Sequence, residues 1–201
     1  MATGIGDRLR FFARFFLRPK VQGALQPSSI HLVEELLRGM DIETAQSLAE
    51  LGPGTGVATR VLLERKAPGA SLLAIEKDAQ WVRLLRRRYP ELDLVHGDAS
   101  DLAACAEERS LALFDAVICG LPFAMFDEQL QRSILAAVSS SLKPGGGFST
   151  FAYVHGKELP SARRFSALLN EYFESVESGQ TIWRNTPPAM VYKAWSRKET
   201  S

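Results

Sequence analysis

Beyond residue 45 the chain alternates between two hydrophobic periodicities. Short, dense apolar runs read as buried strands: "AQSLAEL" (45–51), "SLLAIE" (71–76), "LDLVHG" (92–97), "FDAVICG" (114–120) and "FSTFAYV" (148–154). Between them, apolar residues recur every three or four positions and predict helices. These cover 57–66, the stretch from the capping Asp78 to about Tyr89, a short piece near 100–109, the stretch from the capping Asp127 to Leu142, and about 161–170. "PGGG" is expected to turn the chain into the fifth strand. An earlier helix is predicted over 28–39, capped by Ser28 or Ser29 and stopped by Gly39, with Ile30, Val33, Leu36 and Leu37 on one face. Two last strands, near 172–183 and 189–196, flank "RNTPP" and predict a hairpin whose turn is fixed by Pro187 and Pro188. Strands alternating with helices imply an α/β fold. Its sheet should have seven mainly parallel strands, the last antiparallel, with helices on both faces. In such sheets ligands sit beyond the carboxyl ends of the strands.

Composition narrows the class. With 201 residues and 46% hydrophobic content the chain can build one substantial core. No apolar run approaches a membrane span. Cys105 and Cys119 are too few for a disulfide framework or a zinc site, and their apolar surroundings suggest buried, reduced thiols in a cytosolic protein. The net charge of +1 is unevenly placed. Arg8, Arg10, Arg14, Arg18 and Lys20 against Asp7 give residues 1–23 a net +4, leaving −3 for the body. The leader "GDRLRFFARFFLRPK" has arginines interrupting its apolar residues, which excludes a signal peptide. At helical spacing Ile5, Leu9, Phe12 and Phe16 share a face with Phe11 and Phe15 on its flank. Arg10, Arg14 and Arg18 lie opposite, Arg8 sits at the edge, and Pro19 ends the pattern. Residues 1–22 are therefore expected to form an interfacial helix on an anionic membrane, with a catalytic domain over 23–201 and a peripheral, cytosolic location. The alternative is a helix packed on the protein's own body.

Candidate chemistry falls just after the predicted strands. "ELGPGTG" supplies Gly52, Gly54 and Gly56 at G-x-G-x-G spacing. Val57 stands where a dinucleotide fingerprint needs its last glycine, and no Gly-Lys-Ser/Thr follows for a P-loop. Glu50, before the glycines, suits an ammonium group and would repel a pyrophosphate. Glu76 ends the second strand, where a carboxylate can accept from two ribose hydroxyls. Asp98, in "HGD", can accept from an adenine amino group or cap the next helix.

Glu50 with its glycine loop, Glu76, Asp98 and the seven-strand pattern resemble the class I S-adenosylmethionine-dependent methyltransferases. The resemblance implies that Glu50, Gly52, Gly54, Thr55 and Gly56 hold the methionine end of S-adenosylmethionine. It implies that Glu76, beside Lys77, holds the ribose, and that Asp98, with Gly97 and Ala99, holds the adenine. Gly120 opens "GLPF" (120–123), which faces the methyl group. "GALQPSS" (23–29), "GLPF" and "WRNTPPAMVY" (183–192) together resemble bacterial phospholipid N-methyltransferases, which convert phosphatidylethanolamine toward phosphatidylcholine. The rRNA adenine dimethyltransferases are similar, with N-L-P-Y/F at the same place. Gly120 in place of that asparagine counts against a base substrate, so no nucleic-acid partner is expected. The partners implied are a phospholipid and an anionic membrane surface. Tyr153 and His155 are candidate proton acceptors, and Asn185 could orient the amine. Phe123, Tyr153 and Trp183, with Arg184 alongside, are candidate walls for a quaternary ammonium product. Alternatives are another aminolipid such as ornithine lipid, an rRNA base, or a catalytically silent membrane-binding module.

Overall fold

The computed structural model describes residues 27–154 and 159–197. The leader expected to form an interfacial helix, and His155, lie outside the described residues. In chain order the elements are α1 (Pro27–Leu37), β1 (Ser47–Leu51), α2 (Val57–Arg65), β2 (Ser71–Glu76), α3 (Ala79–Arg88), β3 (Asp93–His96) and α4 (Leu102–Glu108). Then come β4 (Phe114–Cys119), α5 (Glu128–Ser141), β5 (Leu142–Tyr153), α6 (Pro160–Tyr172), β6 (Ser175–Ile182) and β7 (Ala189–Trp195). The seven strands form one sheet in the order β3-β2-β1-β4-β5-β7-β6. The first five are mutually parallel where they pair, and β7 runs antiparallel to both β5 and β6. The predicted architecture is the observed one.

Alternation along each central strand sends successive side chains to opposite faces. Leu48, Ala74, Ile118 and Phe151 join a core with Leu36, Leu37 and Leu62 of α1 and α2. Leu51, Leu73, Val117 and Phe148 join a second core with Leu102, Leu135, Val138 and Leu168 of α4, α5 and α6. Every residue of β1 is buried, as a strand covered on both faces requires. The predicted caps are in place: Asp78 accepts from the Gln80 amide at 2.7 Å and Asp127 from the Leu130 amide at 2.9 Å.

One expectation needs correcting. "PGGG" does not precede the fifth strand but lies within it. Leu142 pairs with Phe114 and Gly147 with Ala116, so the intervening residues bulge out of the ladder. Glycine is needed there because a β-carbon on Gly146 would lie 2.9 Å from the Lys143 carbonyl oxygen and 3.0 Å from that of Phe114.

Asp115 holds this bulge and the start of β1 together. Its Oδ1 accepts from Lys143 Nζ at 2.7 Å, and its Oδ2 accepts from the Gln46 and Ser47 amides at 2.8 and 2.9 Å. Burial raises the Asp115 pKa, but Lys143 and the two amides outweigh it and hold the carboxyl below its usual 3.8. A carboxyl whose folded pKa is depressed stabilises the fold above its unfolded pKa and loses that contribution as pH falls through the folded one. Asp115→Ala is therefore expected to cost about 1–3 kcal/mol at neutral pH. Urea unfolding should show this as a lower midpoint, with the gap from the parent narrowing below about pH 4.

Candidate active site

The sheet order reverses between β1 and β4, which opens a crevice at their carboxyl ends. Two loops meet there. The Gly120 amide donates to the Leu51 carbonyl at 2.8 Å and the Gly52 amide to the Ile75 carbonyl at 2.9 Å. A β-carbon on Gly120 would sit 2.7 Å from the Gly52 carbonyl oxygen, and one on Gly52 would sit 2.5 Å from Leu121 Cδ2. At Gly120 the obstacle is backbone and glycine is required, whereas at Gly52 it is the flexible Leu121 side chain and the φ of +67° is what favours glycine. Gly54 differs: its φ is +55° and a β-carbon there would have no atom within 4 Å. Its outer side faces open space, room for a ligand lying along the loop.

Three acids line this end of the sheet. Glu50 is 2% exposed, and its Oε2 accepts from the Thr59 hydroxyl at 2.7 Å. Glu76 is also buried. Its Oε2 accepts from the Gly54 amide at 3.0 Å and its Oε1 from the Asp78 amide at 2.8 Å. Each oxygen keeps one lone pair, so two acceptor positions remain in a fixed orientation. Asp98 caps the turn that follows it: Oδ1 accepts from the Ser100 amide and hydroxyl at 3.1 and 2.9 Å, and Oδ2 from Lys77 Nζ at 2.6 Å. One acceptor position is left. Burial alone would raise the Asp98 pKa, but Lys77 and Ser100 more than offset it and keep it ionised. The loop is braced from outside by α3 and the residue after it. Arg88 donates to the Thr55 carbonyl at 2.9 Å and Tyr89 to that of Gly56 at 3.1 Å.

The other side of the crevice is built on β4 and β5. After Gly120 the chain makes a short turn, Phe123–Met125, latched to the start of α6. Gln131 of α5, with no exposed surface, donates to the carbonyls of Phe123 at 2.8 Å and Ser161 at 3.1 Å. The Ser161 hydroxyl donates to the Ala124 carbonyl at 2.7 Å. A small apolar recess lies beside this latch, lined by Ala124, Tyr153, Val154, Phe165, Met190 and Tyr192. Tyr153, at the end of β5, borders the recess, while its ring packs edge-on to Phe151, centroids 5.3 Å apart, in the core under α1. Burial pushes its phenol pKa up, which keeps it a neutral hydroxyl.

Two expected walls are elsewhere. Phe123 is 1% exposed and stacks on Phe165 with ring centroids 4.2 Å apart, so its ring belongs to the core. Trp183 is 74% exposed on the hairpin tip, next to the exposed Arg184, and encloses nothing. Asn185 is buried, and its amide nitrogen donates to the Pro187 carbonyl at 2.6 Å, closing the tip. Thr59 and Gln131 escaped sequence reasoning, although each is a polar residue on the buried side of an amphipathic helix, and that placement was the available signal.

A family model described as a methyltransferase domain matches residues 48–146. An ornithine lipid N-methyltransferase from Singulisphaera acidiphila is 32% identical over 96% of this chain and 98% of its own. The chain belongs to the class I S-adenosylmethionine-dependent methyltransferases. A ribosomal RNA small subunit methyltransferase A from Synechococcus is 31% identical over 80% of this chain, but the match spans 54% of that enzyme. Among solved structures, the N-methyltransferase NodS from Bradyrhizobium japonicum superposes with a TM-score of 0.65 at 17% identity, covering 85% of this chain and 88% of that one. An O-methyltransferase from Bacillus cereus gives 0.68 at 15% identity, covering 98% and 92%.

The residues of this methyltransferase fit its cofactor. Open space lies along the outer side of Gly54, and Glu76 presents two spare acceptors for two ribose hydroxyls. Glu50 is a buried carboxylate that an ammonium would complete. Burial pushes the Glu50 carboxyl up from 4.5 to about 7; the Thr59 bond opposes the rise and the nearby Glu76 charge adds to it. A carboxyl with a raised folded pKa favours the cofactor-free fold most while both states are protonated, below pH 4.5. That contribution, about 3 kcal/mol, is lost as pH climbs to about 7. The ammonium of a bound cofactor favours the carboxylate and reverses the trend. Calorimetry on the cofactor-free parent should show stability falling from about pH 5 to about pH 7 relative to Glu50→Gln. S-Adenosylmethionine affinity should rise over the same window in the parent and stay flat in the variant.

Proposed function

We propose that this methyltransferase transfers methyl groups to the amine of a membrane aminolipid. The observation that carries the reading is the end-to-end relationship to a lipid N-methyltransferase, 32% identical over 96% of the chain. The rRNA enzyme from Synechococcus shares 54% of its length with this chain, and Gly120 lacks the side-chain amide that the N-L-P-Y/F pattern offers a base. Phosphatidylethanolamine, expected from the sequence, and ornithine lipid, the substrate in the relative's name, present the same chemistry: a primary alkylamine a few bonds from an anionic group. The common statement is an aminolipid headgroup.

When bound, the cofactor supplies an electrophilic methyl on a sulfonium. The residues of the chain do the rest. Glu50 pairs with the cofactor's ammonium, Glu76 accepts from its ribose, and Asp98 accepts from its adenine amino group. Gly120 keeps the rim of the crevice free of side chains. An alkylammonium has a pKa of about 10.4, so the amine must lose a proton before it attacks. The apolar recess disfavours a second cation and promotes that loss. The neutral Tyr153 hydroxyl can accept a hydrogen bond from the amine and aim its lone pair. His155 follows two residues later and is the nearest imidazole in the sequence to take the proton.

Incubation with methyl-labelled S-adenosylmethionine, vesicles containing phosphatidylethanolamine or ornithine lipid, and ribosomal RNA tests the reading. Label is expected in one or both lipids. Label in RNA and none in lipid would sink it.

The leader belongs to the same proposal. Each arginine near an anionic surface contributes about 1 kcal/mol of attraction. Replacing Arg10, Arg14 and Arg18 with Glu is expected to abolish flotation with anionic vesicles at physiological salt while leaving cofactor affinity unchanged. Flotation equal to the parent would show that Arg10, Arg14 and Arg18 do not anchor the leader to an anionic membrane.

A further inference from the structure

We propose that the β6–β7 hairpin tip, carrying Trp183, is a second membrane contact that seats the acceptor recess on the bilayer interface. The proposal rests on the aminolipid reading above and adds to it the surface that meets the lipid.

Three large hydrophobic residues are exposed among the described ones: Leu113 at 46%, Leu159 at 46% and Trp183 at 74%. Leu113 precedes β4, at the amino end of the parallel strands. The other two stand at the carboxyl end, beside the recess. Tyr153 at the end of β5 pairs with Ala189 at the start of β7, and Ala189 pairs with Ile182 at the end of β6. Residues 183–188 therefore project from the same end as the glycine loop and Gly120. Leu159 immediately precedes α6, whose Ser161 is latched to Ala124.

The tip is also firmly mounted. The Asn185 amide group donates to Pro187 at 2.6 Å, the Asn185 backbone to Ile182 at 3.1 Å, and the Val154 backbone to Pro188 at 3.0 Å. A tryptophan held out in water on a braced turn loses apolar burial that a partner could return. The partner is fixed by where the tip stands. An acyl-anchored amine cannot leave the headgroup layer, so the rim of the recess must come down to that layer. An indole, apolar with one N–H donor, is the side chain that favours this interface. Arg184 beside it meets phosphate oxygens at the same depth.

The test uses the full chain. Trp81→Phe with Trp195→Phe leaves Trp183 as the one indole. On phosphatidylcholine–phosphatidylglycerol vesicles containing the aminolipid, its emission is expected to shift to shorter wavelength and to be quenched by bromine near the headgroup end of the acyl chains. Trp183→Ser, at an exposed position, is expected to raise the KM for vesicle substrate roughly tenfold. Its kcat, and both constants for a water-soluble short-chain aminolipid, should match the parent. Unquenched Trp183 emission, or a parental vesicle KM in Trp183→Ser, overturns the tip proposal while a parent active on the short-chain substrate upholds the aminolipid reading. A parent that methylates neither substrate overturns both.

Discussion

At the ends of β1 and β4 the chain at Gly120 lies so close to Gly52 that a β-carbon on Gly120 would overlap the Gly52 carbonyl oxygen. The contact joins the two halves of the sheet at its point of reversal. On one side the loop carries Gly54, whose amide fixes Glu76; on the other it leads through Leu121 to the acceptor turn. A wedge between the loops would move Glu50, Glu76 and the acceptor turn apart together. The buried position of Glu50 follows from the same packing. Its carboxylate is almost wholly buried, and the Thr59 hydroxyl is its hydrogen-bonding neighbour.

What the sequence made legible were features set by local rules. Strand ends, caps at Asp78 and Asp127, the glycine spacing and the three acids all depend on residues within a few positions of one another. What it hid was set by distant packing. The bulge in β5 looked like a turn because three glycines in a row break most strands; here they let the chain pass the carbonyls of Phe114 and Asp115. Phe123 and Trp183 looked like pocket walls because their aromatic faces suit a quaternary ammonium, yet Phe123 turns inward onto Phe165 and the hairpin carries Trp183 outward. Gln131 is a glutamine in a helical pattern, and only the fold shows that it ties the acceptor turn to α6.

The three acids and the apolar recess thus lie on separate parts of the sheet. The acids and glycines sit on β1, β2 and β3, whose loops are held by backbone amides and by the end of α3. The recess sits on β4, β5 and β7, with α5 and α6 behind it. The fold is shared with N- and O-methyltransferases at 15–17% identity.

The place of β7 has a consequence for how the molecule is made. It is the last strand in the chain order but lies inside the sheet, between β5 and β6. Until it has been synthesised, β5 and β6 have no shared neighbour and the recess has no third side. The cofactor half, complete by β4, can close on the ribosome while the rest of the chain is still emerging. Until β7 pairs, β5 and β6 expose unpaired edges, the part of the nascent protein most in need of protection.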